Sequence, residues 1–259
     1  MKRFSLTGRI ARVSAAAALL CALAAGTAGA TPSTIVWIPS VDIQPFKTAH
    51  LTFDTYIRTS SETGAVPPVV DLGLTGGILP FKGIQAEAGF DLLYGGYNTG
   101  AGLDSHPLYF NGKIGTPEDS FFKWQPAVVA GVYGAGTKND GTDANIIYGL
   151  AGKTFPVIGR LSAGAYTLNE DAAVATAAGP GGDDGGILLS WDRTLSEISD
   201  KLWVGVDYQG GDNAFGALSF GASWAFARNV SVIFGYDMYN ETARGGEDTF
   251  TVQLDINFP

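Results

Sequence analysis

Eight charged residues sit between uncharged neighbours: Asp54, Glu87, Asp91, Lys113, Arg160, Asp207, Asp237 and Asp255. Six are carboxylates and two are cations. Two kinds of chemistry suit such a set. Carboxylates gathered around a wet passage favour cations. Carboxylates and cations in a filled interior instead satisfy one another by pairing and hydrogen bonding. Both require the charges to converge on one enclosed space.

Other chemistry is poorly provided for. The sequence has 2 His and 1 Cys, too few for a multi-His or Cys-ligated metal centre. Ser105 and His106 invite comparison with a hydrolase pair, but neighbours in a strand point to opposite faces. An enzyme is therefore not expected. The glycine- and aspartate-rich stretch at 179–186 lacks the repeated, spaced oxygen ligands of a calcium loop. Gly73 and Gly76 are not followed by a helix, so they form no phosphate loop. No cofactor is expected.

The elements that carry the eight charges alternate with period two. At 250–258 the apolar set is Phe250, Val252, Leu254, Ile256 and Phe258, against Thr251, Gln253, Asp255 and Asn257. Successive strand residues point to opposite faces, so this segment has one apolar and one polar side. Leu51, Phe53 and Ile57 oppose His50, Thr52, Asp54, Tyr56 and Arg58. Ala86, Ala88, Phe90 and Leu92 oppose Glu87 and Asp91, while Leu108, Phe110 and Ile114 oppose Asn111 and Lys113. The pattern recurs around 202–209, 218–226 and 230–239. It is weaker around 70–78, 127–135, 146–152, 160–166 and 187–192. About twelve strands result, near the ~9–11 residues that a tilted membrane strand needs. If the third and fourth form a hairpin, Glu87 and Lys113 stand at similar height.

Connections alternate in length. Long ones fall at 59–68, 95–106, 138–143, 169–186 and 240–248. Shorter ones fall at 80–83, 155–157, 194–200 and 227–229. Residues 116–124 are long for a turn, and 210–213 are short for an outer loop. Aromatics gather near strand ends, with Tyr94, Tyr97, Tyr208 and Tyr239 toward one rim and Phe81, Phe155, Phe226 and Phe258 toward the other. Rings favour the headgroup level of a membrane.

The N-terminus has the layout of an export signal. Lys2, Arg3, Arg9 and Arg12 precede an apolar stretch at 15–25 and the small-residue site Ala28-Gly29-Ala30. Residues 1–30 are thus expected to be cleaved. The stretch is short for a helical span of ~20 residues. Cys21 lies within it, and Leu20 argues against a lipid-modified cysteine. The 16 Lys and Arg fall to 12 when those four leave, against 25 Asp and Glu, a net charge of −13. Such a surface repels nucleic acid and attracts cations. Residues 31–46 contain Trp37, Ile38, Pro39 and Pro45, which disfavour a central membrane strand. They are expected to plug the lumen or to lie at the periplasmic mouth. The barrel proper is expected at 47–259.

The signal, the alternating strands and the near-terminal Phe258 together resemble a Gram-negative outer-membrane β-barrel protein of the porin-like class. Pro259 after the aromatic departs from the usual ending. The resemblance implies an all-β antiparallel transmembrane barrel in the outer membrane. Its partners would be membrane lipid and the barrel-assembly machinery, with Phe258 as the assembly signal. The inward carboxylates make a channel for small neutral or cationic solutes the leading expectation. A non-conducting barrel that docks partners through its outer loops is the alternative.

Overall fold

The computed structural model describes residues 33–60, 68–95, 103–173 and 181–259. The export segment lies outside them, as do parts of the expected outer loops at 59–68, 95–106 and 169–186.

Twelve strands form a closed barrel in which each pairs with its sequence neighbours and the last returns to the first. They are β1 Ala49–Arg58, β2 Val69–Gly77, β3 Gln85–Tyr94, β4 Leu103–Thr116, β5 Ala127–Gly136 and β6 Asp143–Phe155. The second half comprises β7 Gly159–Thr167, β8 Gly185–Thr194, β9 Leu202–Gln209, β10 Ala217–Ala227, β11 Val230–Tyr239 and β12 Thr249–Phe258. Two single-turn helices, α1 Glu170–Ala173 and α2 Thr242–Gly245, sit in connections at the outer end. Closure is made by ten antiparallel partners, from Ala49 opposite Phe258 to Arg58 opposite Thr249. A closed ladder leaves no unpaired strand edge, which is the condition for a sheet to stand in lipid.

Period two decides the two surfaces. Phe53, Leu72, Phe90, Phe110, Leu189, Phe220, Phe234 and Phe250 are exposed on the outer face. Such a wide apolar surface is unfavourable in water, at roughly 25 cal/mol for each Å², and finds its solvent in hydrocarbon. The long 117–126 connection carries Phe121, Phe122 and Trp124, each more than 60% exposed. Its length and its aromatics suit an anchor at the headgroup level. Tyr239 differs from expectation. It stands at the outer end of β11 but turns into the mouth, edge-on to Trp37.

β4 also differs, because it begins at Leu103 and takes in part of the expected 95–106 loop. Ser105 Oγ and His106 Nδ1 lie 3.2 Å apart on this extension. The two side chains meet although alternation of faces predicts that they diverge.

The buried apolar cluster lies inside the barrel. It joins Ile35, Val36, Ile38, Val41 and Ile43 to inward residues of β5, β6 and β8, among them Val129, Ile146, Leu150 and Leu188. Residues 33–46 therefore run within the lumen.

Candidate functional site

Residues 33–40 fold back on themselves as a short finger. Ile35 N–H donates to Ile38 O at 2.8 Å, and Ser40 N–H to Ser33 O at 3.0 Å. Thr34 and Pro39 face one another across the turn. Val36 and Trp37 form the tip, which points toward the outer mouth. The chain then returns and leaves beside β2, where Gly77 meets the Pro45 carbonyl. A Cβ at Gly77 would stand 2.0 Å from that oxygen, so only glycine admits this crossing. At Gly235 a Cβ would come within 2.9 Å of Val36 Cγ1, so its absence makes room for the tip.

Strand residues hold the finger at three levels. At the tip, Asp207 Oδ2 accepts from Val36 N–H at 2.7 Å and Trp37 N–H at 2.9 Å. Gln253 Nε2 donates to Val36 O at 2.7 Å. At the base, Lys113 Nζ donates to Ser33 O at 3.1 Å and Ser40 O at 3.2 Å. The same ammonium lies 3.4 Å from Glu87, its cross-strand partner. Glu87 in turn accepts from Gln44 N–H at 2.6 Å. Further along, the Arg160 guanidinium grips both oxygens of Asp42 at 2.7 and 2.8 Å, and its other edge holds Asp192. The planar fork meets Asp192 bidentately through Nε and Nη2, while Nη1 alone reaches both oxygens of Asp42.

The eight charges named from the sequence thus divide in two. Glu87, Lys113, Arg160 and Asp207 bind residues 33–46. Asp54, Asp91, Asp237 and Asp255 also turn inward, yet their hydrogen bonds are to the barrel wall. Asp54 accepts from Thr52 and Asp91 from Asn111 at 2.7 Å. Asp237 accepts from Thr249 at 2.7 Å, and Asp255 lies 3.2 Å from His50 Nε2. His50 Nδ1 is 3.0 Å from Asn257 Oδ1. Phe258 sits at the periplasmic end of β12, opposite Ala49.

Three inward carboxylates are absent from the eight. Asp71 stands directly opposite Asp54 across the β1–β2 pair. Asp192 completes the grip of Arg160, and Asp42 belongs to the inserted segment. A signal existed for the first two: Asp71 alternates with Gly73 and Thr75, and Asp192 with Ser190. Nothing in the local sequence marks Asp42, whose partner is 118 residues away.

Among the described residues, three spaces bear on the lumen. An outer vestibule of about 430 Å³ is walled by Trp37, Tyr56, Arg58, Tyr109, Tyr133, Phe215 and Tyr239, with Asp91 below. A chamber of about 130 Å³ lies between the finger and β1–β4, lined by His50, Thr52, Asp54, Thr75, Asp91 and Asn111 among others. A periplasmic vestibule of about 980 Å³ reaches up to Arg160, Asp192, Ile233 and Asp255. Trp37, Asp91 and Tyr133 line both the outer vestibule and the chamber. The His50–Asp255 pair joins a chamber residue to a periplasmic-vestibule residue.

No protein-family model and no curated protein matches the sequence. Solved barrels align over most of it. An outer-membrane channel from Pseudomonas putida F1 aligns at 15% identity and a TM-score of 0.48, covering 85% of this chain and 97% of its own. The NanC porin aligns at 11% identity and 0.44, covering 81% and 99%. The KdgM porin aligns at 6% identity and 0.47, covering 82% and 98%. At these values the assignment rests on the closed strand register and the apolar outer belt. With apolar side chains outside and charged ones inside, the chain has the build of a closed twelve-stranded antiparallel β-barrel that spans a membrane.

Proposed function

We propose that this barrel is a narrow outer-membrane channel for small neutral or cationic solutes. The observation that carries the reading is the excess of inward carboxylates over inward cations. Glu87, Asp42 and Asp192 face Lys113 and Arg160. Asp54, Asp71, Asp91 and Asp237 have no ion-pair partner among the described residues. Carboxylates along a low-dielectric passage raise the local concentration of cations and repel anions.

The docked finger favours a second reading, a non-conducting barrel with a structural or docking role. A filled lumen with paired charges needs no solute to explain those charges.

Planar-bilayer recording on refolded protein tests both. A salt gradient should give a small conductance whose reversal potential reports cation preference. Absence of conductance, or anion preference, would sink the channel reading, and capture of a partner by a silent barrel would favour the second.

A further inference from the structure

The finger does not fill the lumen evenly. Its tip lies hard against β9–β12, where Asp207, Gln209, Thr251 and Gln253 are all 2% exposed or less. Space for solute is on the other side. There the finger leaves the chamber open against β1–β4, with the outer vestibule above it and the periplasmic vestibule below. Two narrow points divide these spaces: the chamber shares Trp37, Asp91 and Tyr133 with the outer vestibule, but no lining residue with the periplasmic vestibule, from which the buried His50–Asp255 pair separates it. Trp37 and Tyr133 bound the upper one, where Asp91 lines the spaces on both sides. His50, bonded to Asp255 and Asn257, stands at the lower one.

From this we infer that solute passes beside the docked finger, along the β1–β4 wall, and that Asp54 and Asp91 set the charge preference of this route. The inference rests on the channel reading and deepens it by naming the path and its selectivity residues. Asp54 opposes Asp71, and Asp91 opposes Gly73 two positions further along β2, so three carboxylates share one wall. Like charges directly opposite one another in a sheet repel, and a passing cation relieves that repulsion. Size restricts the class of solute. A cavity needs about 10–15 Å³ to hold one water, so a chamber of about 130 Å³ admits a file of waters or a small monovalent cation with part of its shell. A sugar-sized solute does not fit.

The route assigns different roles to carboxylates that look alike in the sequence. Asp54 and Asp91 line the chamber, whereas Asp207 and Asp237 lie against the packed wall. Asp54→Asn and Asp91→Asn should each lower the cation-to-anion permeability ratio several-fold. Asp140→Asn and Asp171→Asn, exposed at the outer end and outside the lining of all three spaces, should leave it within error. If the signal is removed, the remaining chain contains no cysteine, so Thr52→Cys gives a single thiol facing the chamber. Silver ion, a thiol-reactive monovalent cation small enough for the chamber, should cut the Thr52→Cys current at least several-fold and leave the parent unaffected. Heat-dependent gel mobility checks that each variant is folded.

Equal effects from all four Asp→Asn variants, or a folded Thr52→Cys barrel that the reagent does not block, would overturn the route. So would a barrel that conducts only after residues 33–46 are deleted, although the channel reading would then stand. A barrel silent both with and without the finger would remove the channel reading itself.

Discussion

At the scale of single residues, the lumen charges are attachment points first. Lys113 shows how much one side chain carries. Its ammonium neutralises Glu87 and donates to two finger carbonyls, and the residue is only 5% exposed. Lys113→Met leaves Glu87 buried without its cation, which costs about 3–5 kcal/mol, whereas replacing both partners by uncharged groups is far milder. Urea titration in detergent should therefore show a large fall in midpoint for Lys113→Met and partial recovery for Glu87→Gln/Lys113→Met. Equal midpoints for the single and double variants would contradict the pairing. The pair is legible in the sequence, because alternation puts both residues on one face and the β3–β4 hairpin sets their height. The two finger carbonyls are not, because they come from a segment about 80 residues away.

At the scale of elements, the long 117–126 connection combines a membrane anchor with a charge clamp. Lys153 Nζ lies 2.8 Å from Glu118 and 3.0 Å from Asp119, and Glu118 also accepts from Thr154 at both N–H and Oγ1. Partial burial alone would raise the Glu118 carboxyl, but the bonds from Lys153 and Thr154 outweigh it and hold the group below its usual range. A depressed folded value stabilises the fold above the unfolded carboxylate value of about 4.3 and is lost as pH falls through the folded one. Glu118→Gln should thus lower the melting temperature slightly at pH 7, by a contribution of about 1 kcal/mol or less for a pair this close to solvent. The difference should vanish at pH 2. A difference that persists at pH 2 would mean that packing, not charge, is responsible.

The strands themselves teach a second lesson at this scale. β1, β3, β4 and β9–β12 alternate more cleanly because polar or small residues predominate on their inward faces, Ile233 of β11 being an exception. β5, β6 and β8 read weakly because Val129, Ile146, Leu150 and Leu188 are apolar and inward. Those residues are apolar because Ile35, Val36 and Ile38 pack on them. The loss of alternation is itself the imprint of the inserted segment.

At the scale of the whole molecule, closure of the backbone ladder and an apolar exterior require a membrane. Extraction should need detergent, and alkaline carbonate should leave the protein in the pellet. The folded barrel should run ahead of its boiled form on a gel, and reductant should change neither band, since the described residues contain no cysteine. Release by carbonate would contradict a spanning barrel.

By itself the sequence determined the strands, their faces and the direction of the closing strand, because side-chain period and turn chemistry are local properties. It also determined that the mid-strand charges point inward. Only the tertiary structure decided what they do there. Asp54, Asp91 and Asp207 obey the same alternation, and nothing near them in the chain distinguishes their roles. The difference lies in where residues 33–46 come to rest. Burying the apolar side chains of that segment against β5–β8, and meeting the donors of its tip with Asp207, holds it so that a chamber stays open between it and β1–β4. Asp54 and Asp91 consequently line open space, while Asp207 holds the finger.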